Sequence, residues 1–324
     1  MNDLMNYETA TISQNDKDII STSTAKSFLE FLDVTPLTAK AYRTGITQFL
    51  SFLQCEGVKF PERQNVIDFK KSLQLSGHKT ATIALYLSAL RRFFDWCETE
   101  GLYKNITRGI KAPKQDKGHK RDFLSAESLR CVLAQPERNS LEGKRNFAVL
   151  ALMATCGLRT VEVVRANVED FRTLCGVNVL YIQGKGRNDK KEFVKLTAPV
   201  MNAIRDYLNA RGKVNGNAPL FASCSRRNKG GRLTTRTISA ICKSAMVNAG
   251  FDSPMLTAHS FRHSAVTIAL MNGQTLAEVQ FFARHSNIAT TQIYAHNVDR
   301  LKSQCENVIT SALFTWPVSN AYGA

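Results

Sequence analysis

Apolar residues along positions 23–101 recur at steps of three and four, a pattern that predicts helices throughout. Tyr42, Ile46, Phe49, Leu50 and Leu53 share one helix face. Pro36 stands where that helix should start, and Gly57 just past its end. A shorter helix fits 66–75, bounded by Gly77. A further stripe, Ile83, Leu87, Leu90, Phe94 and Cys97, leaves Arg91 and Arg92 off the buried face. Four helices in this stretch make a small all-α unit.

The pattern turns mixed beyond residue 122. Ser125 suits an N-cap, with Ser128 third in the helix it opens. Residues 146–155 read as a buried helix, and 160–168 as another after the break at Gly157-Leu158. VNVLYIQ (177–183) and KEFVKLT (191–197) are strand-like and flank the turn-rich GKGRNDK, predicting a β-hairpin. Helices are expected over 198–211, 234–249, 259–272, 275–284 and 289–295. Past these, Val298, Leu301, Cys305, Val308 and Ile309 form a narrow stripe at helical spacing that needs burial somewhere. The fold class expected is mainly α with a small β-hairpin or sheet, in two domains. The all-α domain spans 23–108 and a mixed α+β domain spans 123–297. A polar tail (1–22), a basic linker (109–122) and a C-terminal tail (298–324) complete the chain.

Charge adds a partner. Lys and Arg number 43 against 27 Asp and Glu, a net charge of +16, and the pI is near 9.6. Such a surplus favours an anionic partner, nucleic acid being the commonest. The linker concentrates it at Lys111, Lys114, Lys117, Lys120 and Arg121; a solvated cationic surface is the alternative at each. The eight cysteines form no CxxC pair, the start lacks an apolar signal segment, and no apolar run is long enough to span a bilayer. A cytoplasmic protein with reduced thiols and no membrane contact is expected.

Five segments supply what attack on a phosphodiester requires. TCGLRTVEV puts Arg159 at the turn entering a helix, where a guanidinium fork and backbone N–H groups can face a phosphate oxygen. HSFRH puts His259 and Arg262 on one helix face. His285 and Tyr294 follow, and Lys185 sits in the hairpin turn GKGR. His259 and His263 suggest a zinc pair, but no acidic base lies between them, so no metal is assigned.

Taken as a set, these segments resemble the tyrosine recombinase (phage integrase) family over roughly residues 25–300. GLRTVE matches the family's Arg followed by Glu, GKG its hairpin Lys, HSFR its HxxR helix, and HSNIATTQIY its His and nucleophile segment. TTQIYAH is close to Xer-type members, and LYLSALRRFF is the clearest piece of their core-binding, SAM-like domain. The chain departs at ARH (283–285), where the family has Leu-Gly-His; Arg284 in place of Gly bears on the bend before His285.

The resemblance implies a site-specific recombinase that cuts and rejoins DNA through a 3′-phosphotyrosyl intermediate. Tyr294 is then the nucleophile and His259 exchanges its proton. Arg159 and Arg262 hold the non-bridging oxygens, and Lys185 protonates the leaving 5′ oxygen. His285 bonds the phosphate, and Glu162 orients the site. Pre-aimed donors of this kind are worth about 2.7–4 kcal/mol each. Resealing needs no ATP, and no cofactor or metal is expected. Candidate DNA contacts are Lys79, Arg91, Arg92 and Lys114, with Arg226, Arg227, Lys229, Arg232 and Arg236 in the second domain. Two domains and a basic linker suit a clamp on double-stranded DNA. Assembly to dimer and tetramer on a recombination site is expected, with an accessory recombination factor as a further partner. The short leading segment favours a simple core site. A type IB topoisomerase and a non-catalytic DNA-binding factor are the rivals; the core-binding resemblance opposes the first and the filled catalytic positions the second.

Overall fold

The computed structural model describes residues 20–114, 122–184 and 189–314, with backbone only at 297, 301 and 302. Contacts divide these residues into two compact units, 20–114 and 122–314. Both are mainly helical, and the second also carries a small sheet.

The first unit contains α1 (Thr22–Phe31), α2 (Pro36–Cys55), α3 (Arg63–Leu75) and α4 (Thr80–Thr99). The Thr35 hydroxyl accepts from the Thr38 N–H and Pro36 fills the first helical position, so α2 starts where its sequence says. Helices α2 and α4 approach closely at Gly45, where a Cβ would stand 3.1 Å from the Tyr86 Cα. The apolar stripes converge as expected: Ile46, Phe49, Leu53, Ile83, Leu87, Leu90, Phe94 and Cys97 are buried. Edge-to-face phenylalanines pin the centre, with centroids 5.4 Å apart for Phe28 and Phe93 and 5.3 Å for Phe49 and Phe69. The segment read as the start of a linker docks here. Ile110 is buried, Arg91 Nη2 donates to its carbonyl at 2.6 Å, and Lys70 Nζ donates to the Lys111 carbonyl at 2.9 Å.

The second unit runs α5 (Ala126–Leu133), α6 (Leu141–Cys156), α7 (Thr160–Arg165), a 3-10 turn (Val168–Asp170), β1 (Phe171–Leu174), β2 (Val177–Ile182) and β3 (Glu192–Lys195). Then come α8 (Ala198–Arg211), a 3-10 turn (Arg226–Asn228), α9 (Thr235–Asn248), α10 (Ala258–Met271), α11 (Leu276–Ala283), α12 (Ile288–Lys302) and α13 (Cys305–Phe314). The sheet is antiparallel in the order β1-β2-β3, with Leu180 opposite both Phe171 and Val194.

Three expectations are corrected. The helix expected over 160–168 stops at Arg165, because the chain turns extended at Ala166 and enters the 3-10 turn. Strand β1 was not foreseen: FRTL carries no clear alternation, and its turn to β2 is Cys175-Gly176, both at positive φ, instead of an Asn-Gly pair. Helix α12 runs beyond 295 to Lys302, so the apolar stripe that begins at Val298 is divided. Val298 is buried with Tyr294, Val266, Leu270 and Val279 in the second unit. The chain breaks at Ser303-Gln304, and α13 leaves Val308 65% and Ile309 56% exposed.

Candidate active site

The site is assembled where four helix ends meet. Helix α6 terminates at Gly157, whose left-handed φ of 58° turns the chain so that Arg159 caps α7. One turn into α7, Glu162 is fully buried. Its Oε2 accepts from the Arg159 backbone N–H at 2.9 Å and its Oε1 from Arg159 Nη1 at 2.7 Å. Burial alone raises the Glu162 pKa, but Arg284, the Arg159 N–H and the Arg159 guanidinium outweigh it and hold the carboxyl below its usual range. The Arg159 side chain, 27% exposed, faces an open cleft with Thr160, Lys243, Thr257 and His259.

Helix α10 presents His259 at the surface and Arg262 one turn deeper, 1% exposed. Arg262 Nη1 donates to the Gly157 carbonyl at 2.6 Å and Nη2 donates to the Ala283 carbonyl. Part of its fork therefore joins the end of α6 to that of α11, where the sequence suggests phosphate binding alone. Burial, then the guanidinium groups of Arg159 and Arg284, pull its pKa down to about 9, so it stays protonated at neutral pH.

His285 follows the end of α11. Its Nδ1 shares a 2.9 Å hydrogen bond with the Thr291 hydroxyl, and its carbonyl accepts from Gln280 Nε2 at 3.1 Å. Burial first, then Arg262, Arg159, Arg284 and His259, lower its pKa to about 4, so the ring is neutral near pH 7. Tyr294 on α12 is 4% exposed, its ring centroid 6.1 Å from that of His285 and 4.5 Å from that of His263. His263 stacks in turn on Phe123 at 6.4 Å. Thus Arg159, Glu162, Arg262, His285 and Tyr294 share one neighbourhood. Sequence reasoning missed Thr291, signalled only by its place three residues before Tyr294, and the packing of His263.

Arg284, noticed in the sequence only as a departure, lies inside this cluster. Its backbone is left-handed at φ 54° and ψ 48°, a conformation costing a non-glycine residue about 1–2 kcal/mol. Lys185 lies outside the described residues, as do 1–19, 115–121 and 315–324. The backbone flanking Lys185 is tied down, with Arg165 Nη1 donating to the Gly184 carbonyl at 3.1 Å and Lys190 paired to Asp170 at 2.5 Å.

Among the candidate DNA contacts, Lys79, Arg92, Lys114, Arg226, Arg227, Lys229, Arg232 and Arg236 are exposed. Arg232 also has an internal role, donating to the Val164 carbonyl at 2.7 Å and to Asn167 Oδ1 at 2.6 Å, which braces the end of α7. Among the described residues no three His, Cys, Asp or Glu side chains gather as a metal site, and no helix is long and apolar enough to cross a membrane.

A buried tyrosine lies beside histidines and arginines, carried by a mainly helical fold with a three-stranded sheet. Residues 122–300 match the Phage integrase family and residues 22–101 the phage integrase N-terminal SAM-like domain. The chain belongs to the phage integrase family, the tyrosine recombinases, and is a site-specific DNA recombinase. It is 28% identical over 281 residues to tyrosine recombinase XerD of Listeria monocytogenes, covering 84% of this chain and 93% of that one. It is 30% identical over 250 residues to tyrosine recombinase slr0733 of Synechocystis, covering 76% and 78%. In fold it is similar to the XerH recombinase in a post-cleavage complex with a palindromic difH substrate (TM-score 0.70, 21% identity, 89% of this chain and 84% of that one). It is also similar to a lambda integrase dimer bound to a core site (TM-score 0.64, 16% identity, 83% and 96%).

Proposed function

We propose that the chain cleaves and rejoins duplex DNA with Tyr294 as nucleophile, through a 3′-phosphotyrosyl intermediate, to integrate, excise or resolve a mobile element or replicon. The carrying observation is the grouping of Tyr294, His285 and Arg262 around the Gly157 turn that sets Arg159 at the cleft. In this reading the Tyr294 oxygen attacks phosphorus in line, the P–O5′ bond breaks, and the 5′ oxygen leaves with a proton from Lys185. His259, exposed at the cleft, takes the phenol proton, which an unperturbed phenol (pKa about 10) would not surrender unaided at neutral pH. Arg159, with the remaining N–H groups of Arg262, stabilises charge on the non-bridging oxygens, and neutral His285 donates a hydrogen bond. One phosphoester replaces another, so resealing by the 5′-hydroxyl needs no nucleotide.

Assembly belongs to the same proposal. Tyr294 is buried and must turn outward to reach a phosphate, and its helix leads directly into α13. Val308, Ile309, Leu313 and Phe314 on α13 are all more than half exposed, which supports packing against a second copy on DNA. A dimer on one site and a tetramer on two sites follow, acting in the cytoplasm, with any accessory factor binding outside this core.

A duplex nicked near the cut site traps the intermediate. Wild-type protein should form a covalent adduct in EDTA without nucleotide, and Tyr294→Phe should form none. An adduct with Tyr294→Phe, or complete dependence on Mg²⁺, would overturn this assignment.

A further inference from the structure

Position 284 has a left-handed backbone, which glycine adopts without strain; here arginine occupies it. Strain of this kind persists where the surroundings over-determine it, and the side chain shows how. The Arg284 side chain is 9% exposed. Nη2 lies 3.2 Å from Glu162 Oε2 and 3.4 Å from the Gly157 carbonyl, and Nη1 donates to the Phe282 carbonyl at 2.8 Å. Both shared acceptors also position the reaction's other arginines. Glu162 holds Arg159 by its N–H and its guanidinium, and the Gly157 carbonyl accepts from Arg262.

We propose that Arg284 is a positioning residue. It clamps the buried Glu162 carboxylate against the Gly157 turn and so fixes the Arg159 guanidinium that faces the cleft. Without it, Glu162 keeps both bonds to Arg159 but loses its second cation and the bridge to the Gly157 carbonyl, so the Arg159–Glu162 pair is no longer anchored to that turn. Arg159 then samples positions away from the phosphate, and displacement near 1 Å at a reacting group is enough to slow chemistry severely. Arg284 itself is not among the residues lining the cleft, so it acts through Glu162 and not on the DNA.

The proposal rests on the recombinase reading and is tested by single-turnover cleavage of the nicked duplex with Arg284→Gly and Arg284→Lys. Arg284→Gly should slow adduct formation about tenfold while DNA affinity changes less than about twofold. Arg284→Lys, which restores a cation on the strained backbone, should recover part of that loss. A role confined to the backbone bend predicts the reverse order, because glycine relieves the strain and lysine does not. In a Glu162→Gln background the Arg284→Gly change should have less than about a twofold further effect. Thermal melts of each variant establish that the folded protein is being compared. Glycine equal to wild type, glycine faster than lysine, or an undiminished effect in Glu162→Gln would each overturn the proposal. Wild-type protein that forms no adduct would instead remove the recombinase reading beneath it.

Discussion

Arg159 and Arg262 are alike in sequence terms but not in place. Arg159 is 27% exposed at a cleft, whereas Arg262 is buried and spends N–H groups on the Gly157 and Ala283 carbonyls. Arg159→Ala should therefore abolish cleavage with DNA binding nearly unchanged, and its stability cost is limited to one ion pair, because Glu162 keeps Arg284 and the residue 159 N–H. Arg262→Ala should abolish cleavage and also destabilise the fold by about 1–3 kcal/mol, since it strands buried carbonyls. Cleavage, gel-shift and urea-unfolding measurements on both proteins check this; equal stability would deny Arg262 its structural share. His285 offers a pH test. Its folded pKa is depressed to about 4 against an unfolded value near 6.5, so the unfolded chain binds a proton over that window and the folded one does not. Its share of stability is thus full above about pH 6.5 and lost as pH falls towards 4. Glu162, lowered in the fold, contributes in the same direction further to the acid side. His285→Asn should flatten the pH dependence of the urea midpoint between these values, and NMR should find the His285 titration near 4 in the free protein. A midpoint near 6.5 would show that neither burial nor the surrounding arginines act on it.

The elements most legible in the sequence were those whose periodicity and caps agree. Helix α2 has its stripe, its Thr35 cap and Pro36, and it formed as read. Strand β1 has neither alternation nor a standard turn pair, and is held by pairing to β2, a tertiary cause absent from local sequence. The same distinction governs α12 and α13. Spacing alone ran Val298 to Ile309 together; burial of Val298 beside Tyr294 and the break at Ser303 separate a core residue from an exposed helix. Of the candidate site, residue identities were legible because their motifs are specific, but the Arg284–Glu162 contact joins residues 122 positions apart. The division of helices sets the deletion that tests assembly. Truncation after Ser303 removes α13 and leaves Val298 in place, so folding and single-site binding should persist while cooperative pairing of sites and recombination are lost. Gel shifts on one-site and two-site DNA check it, and wild-type pairing by the truncated protein would show that α13 does not join protomers.

At the scale of the whole molecule, charge and site ask for the same ligand. The net charge of +16 favours association with an anionic partner. Exposed cations occur in both units, at Lys79, Arg92 and Lys114 in the first and at Arg226, Arg227, Lys229 and Arg236 in the second. Arg91 and the exposed Arg232 each spend N–H groups on main-chain carbonyls, so fewer of their donors are left for phosphate than the count of basic residues in these segments suggests. Each phosphate neutralised releases counterions, and log K falls by about 0.9 for each decade of salt per contact. With about eight such contacts the slope of log K against log salt should be near −7. Neutralising one exposed cation, as in Arg226→Gln, should reduce the slope by about one and weaken binding to every sequence alike, because a phosphate contact carries no base information. Arg232→Gln should leave the slope nearly unchanged and lower the melting temperature, since it removes the brace on the end of α7. Fluorescence anisotropy over a salt series, with both variants beside the wild type, separates the two kinds of arginine. A slope shallower than about −2 would mean that the basic surplus is not a DNA footprint.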